Sequence, residues 1–291
     1  MSKSVKELVR KHNIRTSKSL GQNFLIDNTI IKHIVESAQV STDDMIIEVG
    51  PGVGSMTIEL ASRSGRLIAV EIDRHLIPAL MENLAGFNNV EIINEDILKI
   101  DVDNLITTQT EKLKGIFKPK NVKVVANLPY YITTPIIMKF LEESTLINTF
   151  VFMVQKEVAD RMLAQPGSKD YGALSVAVQY YCKPERVLDV PPHCFIPQPA
   201  VTSTVVRLNV YDTPPVDVVD KKMFFKVVKA SFGQRRKTLV NALYNSGYFK
   251  MDKEEIKDML KSMGIDENQR GETLSIMQFA KLANSFSQKD C

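Results

Sequence analysis

The clearest indication of the fold is the segment MIIEVGPGVG, residues 45–54. Its first half, Met45–Val49, is a short apolar run typical of a buried strand. Its second half is a turn with glycine at three alternate positions, and Ser55–Ser62 then has the spacing of a helix. A strand, a glycine-rich turn and a helix form a general nucleotide-binding arrangement, because glycine lets the backbone approach a ligand and the helix N-terminus supplies free N–H donors. An ordinary strand-to-helix turn has the same pattern, so both interpretations stay open here.

The alternation of strands and helices continues outward from this stretch. Further apolar runs predict strands at Leu67–Ile72, Val90–Asn94, Lys123–Ala126 and Thr149–Val154, with later candidates at Val176–Tyr181, Arg186–Val190 and Ser203–Val210. Helical spacing occurs at Asn28–Ser37, Ile77–Leu84 and Pro135–Glu142. This alternation predicts an α/β fold in which helices cover both faces of a mostly parallel sheet.

The pattern changes at Thr213-Pro214-Pro215, which interrupts regular structure. Beyond it the spacing is helical throughout, at Lys222–Ala230, Arg236–Tyr244, Lys253–Met263 and Ile276–Asn284. We therefore predict an α/β domain over residues 1–212 and a smaller all-helical domain over residues 213–291. The length of 291 residues agrees with two domains, at roughly 150 residues for each.

Composition excludes several classes of protein. The 44% hydrophobic and 24% charged residues are typical of a globular chain and exclude disorder. The three cysteines are far apart, with no C-x-x-C pair and no cysteine–histidine cluster, so we expect neither disulfides nor a metal. No apolar stretch is long enough for a membrane span or a secretion signal. We expect a cytoplasmic, monomeric protein.

The basic residues are unevenly distributed. Residues 1–210 carry 23 basic and 23 acidic side chains, whereas residues 211–291 carry 14 and 11. The segment from Lys221 to Lys237 has seven basic residues and no acidic one, and the first 21 residues have six against one. Such clusters indicate binding to a polyanion, although a solvated helix face gives the same pattern. Arg235, Arg236 and Lys237 are the candidate RNA-phosphate contacts.

Carboxylates follow the next two predicted strands. Glu71 lies 21 residues after Gly50, where a carboxylate can accept both hydroxyl hydrogens of a ribose. Asp96 follows the third strand, where it can accept a hydrogen bond from an adenine amine. The glycine spacing departs from the loop that binds the pyrophosphate of NAD. The pattern therefore favours an adenosine ligand without phosphate, such as S-adenosylmethionine, although either carboxylate could merely cap a loop or helix.

The fourth strand ends in Asn127-Leu128-Pro129-Tyr130, the most specific local signal in the chain. The exocyclic amine of adenine is a poor nucleophile because its lone pair is delocalised into the ring. The Asn127 side-chain oxygen and the Leu128 carbonyl can accept the two amine hydrogens and favour a tetrahedral nitrogen. Pro129 restricts Leu128 to an extended conformation, and Tyr130 offers a face on which a flipped base can stack. A plain turn after a strand would also explain the tetrapeptide taken alone.

Together these residues resemble the ribosomal RNA adenine dimethyltransferase family, of the KsgA/RsmA type. The segments that match are Lys18–Leu25, Glu48–Gly54, Glu71, Asp96, Asn127–Tyr130, Phe195–Ser203, Phe232–Leu239 and Arg270–Ser275. The resemblance implies a Rossmann-like, seven-stranded, S-adenosylmethionine-dependent methyltransferase sheet and a helical domain that docks ribosomal RNA. It also implies dimethylation of the 6-amino groups of two adjacent adenosines near the 3′ end of small-subunit ribosomal RNA in the assembling 30S subunit.

By motif position, the resemblance also assigns individual residues. Cofactor contacts are expected at Asn23, Leu25, Gly50, Gly52, Glu71, Asp96 and Asn127. Phe195 is expected to stack on the target base opposite Tyr130, because it precedes Pro197 and Pro199 on a rigid loop. An ordinary core aromatic is the other interpretation of Phe195.

Three other functions compete with this one. A methyltransferase of the Erm type, which acts on large-subunit RNA, shares the cofactor motifs, but Arg270–Ala280 resembles the small-subunit family. A non-catalytic ribosome-assembly or nucleic-acid-binding factor is disfavoured by the intact Asn127–Tyr130. An NAD-dependent dehydrogenase is disfavoured by the glycine spacing and by the lack of a plausible hydride-transfer histidine.

Overall fold

A computed structural model describes residues 5–14, 17 and 20–289, and the chain divides into two compact units. The first unit contains the residues up to 159 together with 184–210. The second contains residues 160–183 together with those from 211 onward. The sequence placed one division near residue 212 and gave no sign that 160–183 belong with the C-terminal residues. They do so because Tyr171, Val176 and Tyr180 share a hydrophobic cluster with Phe224 and Val227.

The elements follow one another in the order expected for an α/β chain. The strands are β1 (Phe24–Leu25), β2 (Asp44–Val49), β3 (Arg66–Val70), β4 (Val90–Ile93), β5 (Asn121–Asn127), β6 (Thr149–Gln155), β7 (Cys182–Val190), β8 (Phe195–Ile196) and β9 (Ser203–Val210). The helices are α1 (Val5–Lys11), α2 (Asn28–Ser37), α3 (Ser55–Ala61), α4 (Ile77–Asn83), α5 (Val102–Lys112), α6 (Thr133–Glu143), α7 (Lys156–Leu163), α8 (Ala173–Tyr181), α9 (Lys221–Gly233), α10 (Leu239–Asn245), α11 (Lys253–Ser262) and α12 (Ile276–Lys289).

Seven strands form one sheet, in the order β4-β3-β2-β5-β6-β9-β7. The pairs β2–β3, β3–β4, β2–β5 and β5–β6 are parallel, and β6–β9 is antiparallel. All six residues of β2 are buried, as expected of a strand covered on both faces. From β2 the chain continues to β3 and β4 on one side of β2, and it later returns to form β5 on the other side of β2. A crevice is therefore expected at the carboxyl ends of β2 and β5, where open parallel sheets bind ligands. The predicted fold class is confirmed.

Two features of the predicted secondary structure were wrong. Val176–Tyr181, expected as a strand, lies in α8, because a short apolar run that is buried on every side fits a helix as well as a strand. The helix expected from Arg236 begins instead at Leu239, since the Thr238 hydroxyl accepts a hydrogen bond from the Asn241 backbone N–H at 3.5 Å. Arg236 therefore lies in the turn before α10.

The core of the second unit is formed by helices α8 to α12. Phe224, Leu243, Leu260 and Phe279 are each fully buried in it. Across the described ranges 5–14, 17 and 20–289, no helix has both the length and the apolar character needed to cross a membrane.

Candidate active site

One pocket of the first unit lies at the carboxyl ends of β2, β3 and β5. It collects all seven residues expected to contact the cofactor and four of the five expected to act on the target base, with Asn127 in both sets: Asn23, Leu25, Gly50, Gly52, Glu71, Asp96, Asn127, Leu128, Pro129 and Tyr130. These residues come from five separate segments of the chain. Four of these segments lie at the carboxyl ends of β2, β3, β4 and β5, which are parallel and therefore end at the same edge of the sheet. The fifth, residues 23–25, joins them through the hydrogen bond from Asn127 to Asn23.

Gly52 shapes the turn that forms one wall of the pocket. Its φ of 61° lies in the left-handed region that favours glycine. A Cβ atom added there would lie 2.9 Å from the Cε1 atom of Phe24, a distance that real Cβ contacts do not reach. Its backbone N–H donates a 3.0 Å hydrogen bond to the Oε2 atom of Glu71. Gly52 is therefore required both by the backbone conformation and by the close approach of Phe24.

Glu71 is a buried carboxyl group held in a fixed position. Besides the bond from Gly52, its Oε1 atom accepts a 2.8 Å hydrogen bond from the Asp73 backbone N–H. Only 4% of the residue is exposed, and burial raises the pKa of Glu71 to about 7. Each carboxylate oxygen accepts up to two hydrogen bonds, so both keep capacity for ribose hydroxyls.

Asp96 both caps a turn and lines the pocket. Its Oδ1 atom accepts a 3.0 Å hydrogen bond from the Leu98 backbone N–H, at the start of the 3₁₀ turn Ile97–Lys99. The half-exposed Tyr131 lies nearby: burial raises the pKa of its phenol, and the charges of Asp96 and Glu71 raise it further. The capping interpretation of Asp96 is thus correct, and it does not compete with ligand binding.

Asn127 is oriented by the segment that precedes β1. Its Nδ2 atom donates a 3.0 Å hydrogen bond to the carbonyl oxygen of Asn23, which leaves Oδ1 as the acceptor atom of the amide. The Leu128 backbone N–H donates to the Met153 carbonyl at 3.1 Å and extends the pairing of β5 with β6. The Pro129 carbonyl accepts a 3.0 Å hydrogen bond from the Thr133 hydroxyl, which fixes the end of the turn.

Tyr130 is positioned by a residue 73 positions further along the chain. Its hydroxyl lies 2.6 Å from the hydroxyl of Ser203, the buried first residue of β9. Burial raises the pKa of Tyr130, and the hydrogen bond with Ser203 partly opposes that shift. The hydroxyl is therefore engaged within the protein, whereas the residue still lines the pocket.

Phe195 does not line the pocket with the others. It pairs in register with Leu25 between β8 and β1, is only 1% exposed, and packs in the hydrophobic core with Val125 and Val205. This placement agrees with the interpretation of Phe195 as a core aromatic. Stacking on a target base stays a prediction, and it requires the ring to become accessible.

The three expected RNA contacts lie in the second unit, in the turn between α9 and α10, and all are exposed. The Nη2 atom of Arg235 donates to the carbonyl oxygens of Lys169 and Tyr171, at 2.7 and 3.3 Å, and lies 3.2 Å from Glu272 Oε2. The Arg235 guanidinium therefore joins the turn after α9 to the segment before α8 and to Glu272. This leaves Arg236 and Lys237 as the better candidates for phosphate contacts.

No motif in the sequence singled out Glu48 and Tyr131, which line the pocket, or Ser203, whose hydroxyl contacts Tyr130. Glu48 and Ser203 stood inside matching segments, but a motif does not show which atom a side chain contacts. Lys18 and Ser19, the first residues of another matching segment, lie outside the described residues, as does Cys291.

The chemistry of the pocket wall fits an adenosine ligand that lacks phosphate. None of the described residues that line it is Lys, Arg or His, so no side-chain cation there could pair with a pyrophosphate. Two buried carboxyl groups, Glu48 and Glu71, face it instead. This wall disfavours NAD and fits S-adenosylmethionine, whose reactive centre is a cation.

Comparison with known proteins gives a consistent family. A family model described as ribosomal RNA adenine dimethylase matches residues 12–288. The protein named ribosomal RNA small subunit methyltransferase A is 55% identical over 287 residues in Alkaliphilus oremlandii, covering 99% of this chain and 97% of that protein. Its counterpart in Clostridioides difficile is 54% identical over 286 residues, covering 98% and 96%.

Solved structures show the same relationship. A dimethyladenosine transferase from Plasmodium falciparum gives a TM-score of 0.74 at 26% identity, covering 91% of this chain and 97% of that one. The 23S rRNA methyltransferase ErmE gives 0.66 at 26% identity, covering 91% and 100%. With a family model over nearly its whole length and relatives above half identity, this chain belongs to the ribosomal RNA adenine dimethylase family.

Proposed function

We propose that this protein transfers methyl groups from S-adenosylmethionine to the 6-amino groups of two adjacent adenosines near the 3′ end of small-subunit ribosomal RNA. One observation carries the proposal. A single pocket holds the acceptor atoms of Asn127–Leu128 beside the carboxyl groups of Glu71 and Asp96, and its wall has no basic side chain among the described residues.

The cofactor half of the pocket is assigned by hydrogen-bonding capacity. Glu71 would accept the ribose hydroxyls, and Asp96 would accept the adenine amine. Gly50 and Gly52 allow the close approach of backbone to ligand, while Asn23 and Leu25 close the wall from the segment before α2. The cofactor supplies an electrophilic methyl group on its sulfonium.

The target half is assigned by the chemistry of an adenine amine. Asn127 Oδ1 and the Leu128 carbonyl would accept its two hydrogens, so that the nitrogen lone pair leaves the ring and becomes available for attack. Tyr130 would support the flipped base with its ring face. The methylated amine is a strong acid and loses its proton to water, so no general base is required. Repetition gives the dimethylated product.

The competing interpretation, an Erm-type enzyme, is weakened by the sequence relatives. Both solved structures are 26% identical to this chain and do not separate the two activities. By contrast, relatives at 54% and 55% identity carry the small-subunit name over almost the full length. A non-catalytic assembly role alone is disfavoured because the hydrogen bond from Asn127 to Asn23 orients the amide as the chemistry needs.

The second unit would dock the ribosomal substrate. Exposed basic residues of α9 and of the turn that follows it, among them Arg236 and Lys237, provide a surface for phosphates. We propose that the enzyme acts as a monomer without a metal, in the cytoplasm, on the assembling 30S subunit where this RNA is found.

The test is incubation with undermethylated small subunits and S-adenosylmethionine labelled in its methyl group, followed by nucleoside analysis and primer extension on both ribosomal RNAs. Labelled N6,N6-dimethyladenosine confined to small-subunit RNA supports the proposal. Label in large-subunit RNA would establish the Erm-type activity. If the wild type and Asn127→Ala both bind small subunits and neither transfers a methyl group, only the non-catalytic assembly role would remain.

A further inference from the structure

Glu48 is a buried carboxyl group that the assigned chemistry does not use. It lies in the middle of the sheet, near the end of β2, with only 1% of the residue exposed, and it lines the pocket. Its Oε2 atom has no hydrogen-bond partner within the part of the chain that the structure describes. A buried carboxylate without a partner is strongly unfavourable, whereas the neutral acid is tolerated. Glu48 is therefore poised to carry a proton.

The strand register places Glu48 on the same side of the sheet as Glu71. Glu48 is aligned with Ala69 of β3, and Glu71 lies two residues beyond Ala69. Side chains alternate along a strand with a period of two, so both carboxyl groups face the same side at the edge where the pocket lies. Burial raises the pKa of Glu48 to about 8, an interaction with the Thr57 hydroxyl on α3 partly opposes this shift, and the charge of Glu71 adds to it.

Among the residues that the structure describes, the charged groups on neighbouring elements offer Glu48 no compensating cation. On α3, Glu59 is paired with Arg63. On β5, the ammonium group of Lys123 is bound to Asp44, at the opposite end of the strands. Beyond β3, Asp73 adds a further negative charge. Burial of Glu71 is the main cause of its raised pKa, and the charge of Asp73 raises it further.

We propose that Glu48 carries a proton while the pocket is free of ligand and releases it when a positively charged methyl donor binds, so that the pocket distinguishes the cationic donor from its uncharged product. This inference rests on the proposed function, because it takes S-adenosylmethionine and S-adenosylhomocysteine as the donor and the product. On binding, the O–H bond of the carboxyl group breaks and the proton passes to solvent. The remaining carboxylate balances the positive charge of the ligand.

The consequence is a linkage between donor affinity and pH. Because donor binding releases a proton, donor affinity increases with pH and levels off once the pH exceeds the pKa of Glu48 in the free protein. The product has lost the sulfonium charge, so its binding releases fewer protons. At neutral pH the pocket therefore stabilises bound S-adenosylhomocysteine less than bound S-adenosylmethionine. This difference favours replacement of the product by a new donor between successive methyl transfers.

The experiment measures proton release by titration calorimetry at pH 7.0, with each ligand titrated in buffers that differ in ionisation enthalpy. Three ligands are compared: S-adenosylmethionine, S-adenosylhomocysteine, and sinefungin, which carries an ammonium group in place of the sulfonium. We expect the wild type to release more protons with the two cationic ligands than with the uncharged product. From pH 6 to pH 8, donor affinity relative to product affinity should increase by at least about fivefold.

Glu48→Gln tests the residue, and Glu36→Gln, which removes an exposed carboxylate from α2, is the matched control. The difference between donor and product should disappear in Glu48→Gln and persist in Glu36→Gln. Equal proton release for all three ligands in the wild type would overturn the inference whether or not the variant folds. A difference in proton release between donor and product that persists in folded Glu48→Gln would also overturn it. If none of the three ligands binds to the wild type, the proposed cofactor is overturned, and this inference with it.

Discussion

The Oε2 atom of Glu71 accepts a 3.0 Å hydrogen bond from the backbone N–H of Gly52, 19 residues earlier in the chain. This bond joins the end of β3 to the turn that follows β2. The carboxyl group expected to bind a ribose therefore also fixes the turn against which the rest of the ligand would lie. Changes at either residue should affect both the stability of the first unit and its affinity for the cofactor.

Gly52→Ala should destabilise the protein and weaken cofactor binding. The left-handed conformation costs a non-glycine residue about 1–2 kcal/mol, and contact with Phe24 adds to this. The control is Gly86→Ala, at an exposed site where an added Cβ meets no atom within 4 Å. Chemical denaturation and calorimetry measure both effects. Equal free energies of unfolding for the two variants would mean that the turn adapts to a side chain.

Glu71→Ala should weaken S-adenosylmethionine binding more than it weakens the fold. Each hydrogen bond to a charged acceptor contributes roughly 1.5–3 kcal/mol, and the ribose would lose its acceptor. Because Gly52 and Asp73 also lose their partner, folding must be checked by circular dichroism. Unchanged affinity in a folded variant would remove Glu71 from the site.

Asn127→Ala should reduce the rate of methyl transfer much more than the affinity for RNA. A charge-assisted hydrogen bond made chiefly in the transition state corresponds to about a 10- to 100-fold loss of rate. Some cofactor affinity should also be lost, since Asn127 holds the Asn23 carbonyl. Tyr130→Phe keeps the ring and removes only the hydroxyl bound to Ser203, so it should be affected less. Near-normal single-turnover rates in Asn127→Ala would contradict activation of the amine.

The salt dependence of RNA binding should separate the three basic residues that follow α9. Each lost phosphate contact should reduce the log–log slope by roughly 0.7–0.9. Arg236→Ala and Lys237→Ala should each do so. Arg235→Ala should lower stability with little change in slope, because its guanidinium is bound to Lys169, Tyr171 and Glu272.

Cofactor affinity provides the control for these variants, since the pocket belongs to the first unit. The double variant Arg235→Ala with Arg236→Ala should weaken binding to the ribosomal substrate and reduce the slope. If the slopes of all variants equal that of the wild type, this surface does not dock RNA.

Glu48→Gln should change how stability depends on pH. Folding raises the pKa of Glu48 from 4.5 to about 8, so the contribution of Glu48 is fully present below pH 4.5 and is lost as the pH rises through 8. The glutamine variant does not have this loss. Its stability relative to the wild type should therefore increase between pH 5 and pH 8, by at most about 1.4 kcal/mol per pH unit. Urea denaturation at several pH values measures the difference, and a constant difference would show that Glu48 stays charged in the fold.

The order of strands along the chain and most of the pocket residues were predictable from the amino-acid sequence. Asn127, Glu71 and Asp96 were identifiable because each lies at or shortly after the end of a strand, and the ends of parallel strands share one edge of the sheet. The glycine turn was identifiable because its backbone conformation excludes most other residues. These are local properties, in which a few neighbouring residues fix both the conformation and the position.

Contacts between residues far apart in the chain were not predictable from the sequence, because they depend on how the whole chain packs. The bond between Tyr130 and Ser203 spans 73 positions, and the burial of Phe195 depends on strands from other parts of the chain. Helix α8 could not be told from a strand, because an apolar run that is buried on all sides has no periodicity to distinguish the two. Glu48 showed no role in sequence, because whether its Oε2 atom finds a hydrogen-bond partner among the described residues depends on everything packed around it.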